Sequence, residues 1–376
     1  MKPLRILLVL ATSTGGVGTH VASLAREFAA AGHTVGVIGP SSTDEQFGFV
    51  AHRRIAFAPL ELGTSLRPND VATVRRLRLL ITTFHADVVH AHGFRAGFTM
   101  LTAAAGIRRG DRPRTVVSWH NKAMGRGVRR LAERTVESYV AHRADLTLGA
   151  SNDLVVRAQE LGADRAVFAP VAAPEWPILE DVNNSLLRSQ KIRELGLPRG
   201  SVLMLSVGRV APQKNYGMLL DALELVAPKH PRLCVLIAGS ADPTELSALR
   251  DRVRERELPV HFLGQRSDVR ALNQAADIFV LTSLWEARAL VLQEAMVAGK
   301  AIIATAVGGT PELLGDAGIQ IPTGDATALA DAIDTLLGNP SERARLGRAA
   351  ALKALDLPRE PEVAAAVENH YRSLLS

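Results

Sequence analysis

Short apolar runs alternate with helical patterns along nearly all 376 residues, and the alternation runs twice. RILLVLAT reads as a strand, GGVG as a turn, and THVASLAREFAAAG as a helix closed by Gly32. HTVGVIGP is the next strand. The helical pattern VATVRRLRLLITTFH leads into the strand ADVVHAHG, and RTVVSWH and ADLTLGAS are further strands. Continuous apolar runs separated by segments of helical period describe parallel strands buried on both faces by crossover helices. The rhythm breaks over 170–200, where Pro170, Pro174, Pro177 and Pro198 flank the polar run VNNSLLRSQ, and the stretch near 170–180 reads as a linker. It then restarts with SVLMLSVGR, a helix from about Gly217 to Ala227, LCVLIAGS, TELSALRDRVRERE, VHFLG, DVRALNQAA, DIFVLTS, LVLQEAMVAG, AIIATA and ATALADAIDTLLG. EPEVAAAVENHYRSLL is a separate helical pattern at the end. The expected architecture is α/β: two Rossmann-like doubly wound domains, 1–172 and 173–358, with a terminal helix over 359–376. A domain takes about 100–200 residues, so the length allows two. Ligands of open α/β sheets sit outside the carboxyl ends of the strands, so the two halves are expected to face a central cleft.

Charge is unevenly placed. Residues 1–175 carry 22 Lys and Arg against 14 Asp and Glu, while 176–376 carry 22 against 24. A basic first half points to an anionic partner. Aromatics are only 4% and are not interleaved with the cations for base stacking, so nucleic acid is not expected. The basic groups Arg75, Arg76, Arg78, then Arg108, Arg109, Arg112, Arg114, then Arg126, Arg129, Arg130, Arg134 fit either an anionic membrane surface or an ordinary solvated face. The single cysteine, Cys234, lies in an apolar run. It allows neither an internal disulfide nor a cysteine zinc site, and suits a reducing cytoplasm. The apolar run at the N-terminus spans only Ile6 to Ala11 and is a first strand better than a signal peptide. No stretch approaches the ~18 apolar residues of a membrane span. The expected location is cytoplasmic, with any membrane contact peripheral at the inner face.

Four groups of residues carry chemistry. Gly15-Gly16-Val17-Gly18 opens a helix after the first strand, and either admits a phosphate to the helix N-terminus or is a tight turn alone. It lacks the GxGxxG spacing of a dinucleotide fingerprint, which disfavours a nicotinamide dehydrogenase. GRVAPQKN places Arg209 and Lys214 on a short loop at a strand end, where a fork and a point charge suit a diphosphate. In SLWEARALVLQEAMVAG, Glu286 sits in the loop after the strand DIFVLTS and Glu294 in a helix ended by Gly299; eight apart, just over two helical turns, they are expected on one helix side, Glu286 at the mouth and Glu294 deeper in, with the amides of Ala287, Arg288, Ala289 and Leu290 opening that helix toward a phosphate or sugar hydroxyl. Trp119-His120-Asn121 ends a strand, and His120 either faces a sugar or caps the core. One of His90 and His92 is expected to face an acceptor, with Arg95 just beyond.

These residues together resemble retaining glycosyltransferase family 4, of the GT-B fold. The matching segments are GGVGTHVASLAREFAAAGHTV, DVVHAHG, GRVAPQKN, FLGQRSDV, and the Glu286/Glu294 pair running into EAMVAGKAIIATAVGGTPELL. The resemblance implies transfer of a hexose from a UDP-, GDP- or ADP-sugar to a hydroxyl of a glycan, lipid-linked or small-molecule acceptor, with retention and without a metal or other cofactor. It implies that Arg209 and Lys214 hold the diphosphate, Glu294 the ribose hydroxyls, and Glu286 the donor sugar. Residues near Arg266 would line the base, His120 would lie beside the sugar, and Gly16 would let its loop close. The first domain would take the acceptor through His92 and Arg95, the second would take the donor, and the last helix would return to the first domain. Family members carry glycine after the first glutamate; Ala287 and Arg288 depart from this, and Arg288 either reads an acidic substrate or points to solvent. The alternatives are a non-catalytic nucleotide-sugar binder and a sugar-nucleotide epimerase of the same architecture.

Overall fold

The computed structural model describes residues 2–13, 15–62, 70–122, 125, 127–174 and 184–376. The chain divides into two compact units: Met1–Glu175 with Pro358–Ser376, and Trp176–Leu357. Arg126 and most of the proline-rich stretch after 174 lie outside the described residues, as does the side chain of Arg129.

The first unit is built on seven parallel strands: β1 (Arg5–Leu10), β2 (Thr34–Gly39), β3 (Ile55–Pro59), β4 (Val88–His92), β5 (Arg114–Trp119), β6 (Leu146–Gly149) and β7 (Ala166–Phe168). They lie in the order β3-β2-β1-β4-β5-β6-β7. The connections are α1 (Gly16–Ala30), α2 (Ser41–Phe47), α3 (Asp70–Phe84), α4 (Phe94–Ala105), α5 (Gly127–Arg143) and α6 (Asn152–Glu160). From β1 the chain steps first to one side and then, at β4, to the other, so the order reverses between β1 and β4. The connections there leave on opposite faces of the sheet and open a crevice at the strands' carboxyl ends.

The second unit begins with α7 (Asn184–Glu194), which occupies the polar run that the sequence marks only as a break. Its six parallel strands are β8 (Val202–Val207), β9 (Leu233–Ala238), β10 (Val260–Gly264), β11 (Ile278–Leu281), β12 (Ala301–Thr305) and β13 (Ile319–Ile321), in the order β10-β9-β8-β11-β12-β13. Helices α8 (Tyr216–Val226), α9 (Pro243–Glu255), α10 (Val269–Ala275), α11 (Leu290–Val297), α12 (Thr310–Leu314), α13 (Ala326–Gly338) and α14 (Pro340–Ala354) cover it. Here the order reverses between β8 and β11. Cys234 is buried in β9, as its apolar run requires.

The terminal helix α15 (Glu360–Leu375) belongs to the first unit and packs on α1. Val363, Ala364, Val367, Tyr371 and Leu374 recur at helical spacing and enter the same apolar cluster as Leu24, Phe28 and the strands β1 and β2. Burying Val363, Val367 and Leu374 stabilises the unit by roughly 1.5–3 kcal/mol each. Arg26 pairs with Glu360 at the head of the helix, and Arg372 reaches the Lys2 carbonyl at its tail.

Candidate functional site

Both units place their unusual side chains at the strand ends beside the order reversal. In the first unit these are histidines. His92 is the last residue of β4, His120 follows β5, and His20 projects from the N-terminal part of α1. All three are buried, His120 at 9% exposure being the most open. His92 Nδ1 lies 3.1 Å from His120 Nε2, and the His20 ring meets both others edge-on at 5.7 and 5.4 Å. Loss of hydration lowers all three from the ordinary histidine range, His120 to about 4, so the cluster is uncharged at neutral pH.

His90 behaves differently. Its Nδ1 bonds Tyr371 of α15 at 2.6 Å and its Nε2 bonds Ser118 at 2.7 Å, which locks it in the core. Strand alternation does not separate it from His92, because residues two apart share a face; the two rings pack 4.1 Å apart. Depth distinguishes them: His92 is nearer the strand end and His120. His20 is a residue that strand-based reading misses, since it lies on a helix; its signal is its place two residues after Gly18. At Gly18 an added Cβ would stand 2.2 Å from Phe47, so glycine there serves close packing of α1. Gly16 is the first residue of α1 and is exposed, and Arg95 is half-buried in the first turn of α4.

In the second unit the loop after β8 runs through Arg209 and a short 3-10 turn, Pro212–Lys214, into α8. The loop after β11 is stitched to it. Leu284 N–H donates to the Gln213 carbonyl at 2.8 Å, Gln213 Nε2 to the Trp285 carbonyl at 2.9 Å, and Thr282 Oγ1 to the Lys214 carbonyl at 2.8 Å. Lys214 Nζ and Glu286 Oε1 then meet at 2.6 Å, both side chains largely shielded. The Glu286 carbonyl accepts from Gly309 N–H at 3.0 Å. Gly308, at φ +52°, lets the backbone pass; a Cβ there would stand 1.9 Å from that same oxygen. Arg209 is exposed and makes no ion pair among the described residues. The site thus offers one exposed cation, one cation shared with a carboxylate, and a rigid loop between.

The expectation that the helix opens at 287, with the two glutamates in register along one side of it, is corrected. Helix α11 begins at Leu290, because Ala289 is extended at φ −63° and ψ 116°. Glu286 lies in the loop, as expected, and Ala287, Arg288 and Ala289 lie there with it; only Leu290 and Glu294 are in the helix. Glu294 is largely buried and its carboxyl has no hydrogen-bond or ion-pair partner among the described residues. Loss of hydration raises it from the usual carboxylate range to about 7. Arg288 does not point freely to solvent: it is half-buried, burial lowers its pKa, and Glu312 offsets part of that. Arg266 spends its fork on other carboxylates, bonding Asp268 at 2.8 and 2.9 Å and Glu194 of α7 at 2.8 Å. Lys191 joins the same network through Asp268 and Glu194. Its guanidinium is thus tied to α7 and α10's entry, leaving the backbone of its turn as the part that a ligand could meet.

Residues 14–170 match the family model described as Glycosyltransferase Family 4, and residues 188–353 that described as Glycosyl transferases group 1. The chain is 30% identical over 365 residues to a D-inositol 3-phosphate glycosyltransferase of Xylanimonas cellulosilytica, covering 89% of this chain and 86% of the relative. It is 28% identical to the phosphatidyl-myo-inositol mannosyltransferase of Mycolicibacterium smegmatis, covering 88% and 83%. Among solved structures it is similar to sucrose-phosphate synthase from Thermosynechococcus elongatus, with TM-score 0.83, 22% identity and coverage of 98% and 99%. It is also similar to Anabaena HepE in complex with UDP and glucose, with TM-score 0.80, 19% identity and coverage of 98% and 100%.

Proposed function

From the premise that the chain belongs to the group 1, family 4 glycosyltransferases and is a sugar-transferring enzyme of GT-B fold, we propose that it is a retaining, metal-independent hexosyltransferase whose donor is a UDP-, GDP- or ADP-sugar. The observation that carries this is the second unit's order reversal, where Arg209, Lys214 and Glu286 converge on loops fixed to each other at the ends of neighbouring strands. Arg209 and Lys214 neutralise the diphosphate as the C1–O bond breaks and its electron pair moves onto the leaving oxygen. Lys214 exchanges its bond with Glu286 for phosphate, which frees the Glu286 carboxylate for donor-sugar hydroxyls. Glu294 accepts from the two ribose hydroxyls, which supply the partners its carboxyl lacks. Ala287, Ala289 and Leu290 offer backbone along the sugar, and the turn carrying Arg266 lines the base.

His120 contacts the donor sugar, and His92 and Arg95 orient an acceptor hydroxyl on the first unit. That hydroxyl attacks C1 from the face the diphosphate leaves, and its proton passes to a departing phosphate oxygen. The sugar is oxocarbenium-like meanwhile. Two relatives named for inositol-bearing acceptors support an alcohol acceptor of anionic or lipid-borne kind. The exposed arginines on α3 and α5 and in the segment that follows α4 support peripheral contact with an anionic membrane. Among the described residues no helix is long and apolar enough to cross one.

Thermal shift against UDP, GDP, ADP and their sugars tests the donor site. One base is expected to raise the melting temperature, since a ligand of the native state stabilises by mass action. Arg209→Ala and Glu294→Ala are each expected to remove that rise. A rise kept in both variants contradicts the assignment.

A further inference from the structure

We propose that His20, His92 and His120 form a binding site for a divalent transition-metal ion of the Zn2+ class, and that an ion held there stops sugar transfer. The inhibitory half rests on the role given above to His120; the binding half does not.

One ring nitrogen from each of the three histidines lies within 4.8 Å of the other two. His92 Nδ1 and His120 Nε2 are already 3.1 Å apart. A tetrahedral ion with bonds of about 2.0–2.1 Å to nitrogen holds its ligand atoms about 3.3 Å apart. His92 Nδ1 and His120 Nε2 therefore stand near chelating separation, and the third nitrogen has at most about 1.5 Å to close.

The His92 ring is incompletely satisfied by its own bonds: Nε2 is buried with no hydrogen-bond partner among the described residues, so either it or Nδ1 can be the nitrogen given to the ion. Such an atom is costly in a core that has finished its bonding.

His90 is not a ligand. It packs 4.1 Å from His92, and its two nitrogens are spent on Tyr371 and Ser118, so neither is available to an ion. Three imidazoles without a carboxylate favour zinc, cobalt, nickel or copper over magnesium and calcium, which require oxygen. The fourth position is left to water or an anionic oxygen. An ion so placed occupies a ring nitrogen of His120 and brings a double positive charge to the side where the sugar itself becomes cationic. Both effects oppose transfer.

The test uses the full chain, stripped with a chelator and titrated with Co2+. One equivalent is expected to bind with the visible bands of a low-coordinate site, to be displaced by Zn2+ and not by Mg2+. X-ray absorption of the Zn2+ form is expected to show three imidazoles. His20→Asn is expected to weaken Co2+ binding at least 100-fold. One equivalent of Zn2+ is expected to abolish transfer by the unmodified chain, with EDTA restoring it. No Co2+ uptake, fewer than three imidazoles, or uptake undiminished in His20→Asn overturns the site. If His20→Asn does not fold, the absorption measurement on the unmodified chain decides alone. Transfer unchanged with the ion bound overturns the inhibitory half. Transfer unchanged in His120→Ala would instead contradict the role of His120, leaving the metal titration standing.

Discussion

Glu294 is held where it is least comfortable. It lies in an apolar helix with no partner for its carboxyl among the described residues, and its pKa rises to about 7. A group raised in the folded state favours folding while protonated, and that contribution is lost as pH climbs from the unfolded value near 4.5 to 7. Across that window the unfolded chain ionises first, so stability falls by about 3 kcal/mol at most. Glu294→Gln removes the charge while keeping the shape. It is expected to melt higher than the unmodified chain at pH 7.5, to match it near pH 4, and to bind the nucleotide less tightly. Urea titrations at the two pH values check the first part, and the nucleotide shift checks the second. Equal pH slopes in both proteins would show that the carboxyl finds solvent or a partner. The cost is of the kind a binding site carries when stability is given up for a ligand contact. Its residue type and place were legible from the apolar run alone, because an acid in such a run requires a partner. Its relation to Glu286 was not, since the eight-residue spacing assumed a helix that starts four residues later than the count required.

At the scale of elements, the central strands were legible, the edge strands β3, β7 and β13 were not, and the helices were legible only in part. β1, β4, β5, β6, β8, β9, β11 and β12 are apolar runs buried on both faces, a pattern that hardly any other element produces. Three of them open on the same device: Asp87, Asp145 and Asp277 precede β4, β6 and β11, and each accepts a backbone N–H from the neighbouring strand at 2.7 Å. Helix α14 was missed because its SERARLGRAAALKA carries little amphipathic contrast; small residues let it lie on β12, and Gly347 passes the Gly299 carbonyl where a Cβ would come within 2.3 Å. Helix α7 was missed because its sequence is mostly polar: Ile192 enters the core cluster, and Lys191 and Arg188 hold the helix through ion pairs. Helix α15 was legible as a helix, its return to the first unit followed only from the family resemblance, and its place beside α1 is seen in the structure alone. What seats it is partly polar: Tyr371 is fully buried and its hydroxyl is the Nδ1 partner of His90. Tyr371→Phe keeps the ring and orphans that nitrogen, which costs about 1–3 kcal/mol. The urea midpoint is expected to fall with no change in slope. An unchanged midpoint would mean that His90 turns to another partner at no cost.

At the scale of the molecule, charge is the property that one sequence shows and no single element explains. The excess lies in the first half, and the structure gathers it on one run of neighbours: α3 packs on α4, and α4 on α5. Arg75 and Arg76 on α3, Arg108, Arg109, Arg112 and Arg114 beyond α4, and Arg130 and Arg134 on α5 are all exposed. Apolar side chains stand among them, with Leu79 at 62% and Leu131 at 68% exposure. Cations interspersed with exposed leucines are what an interfacial surface needs, since the charges gather anionic headgroups and the leucines enter below them. Each cation near such a surface contributes about 1 kcal/mol, so removing two removes about 2 kcal/mol, or roughly 30-fold in binding. Arg130→Ala with Arg134→Ala is therefore expected to lower co-sedimentation with anionic vesicles about 30-fold at low salt, while nucleotide binding by the second unit stays the same. Raising ionic strength toward 1 M shortens the screening length to about 3 Å and is expected to release the unmodified chain as well. Binding indifferent to both the substitutions and salt would place the contact elsewhere, and these arginines would then be a solvated face that keeps the first unit soluble.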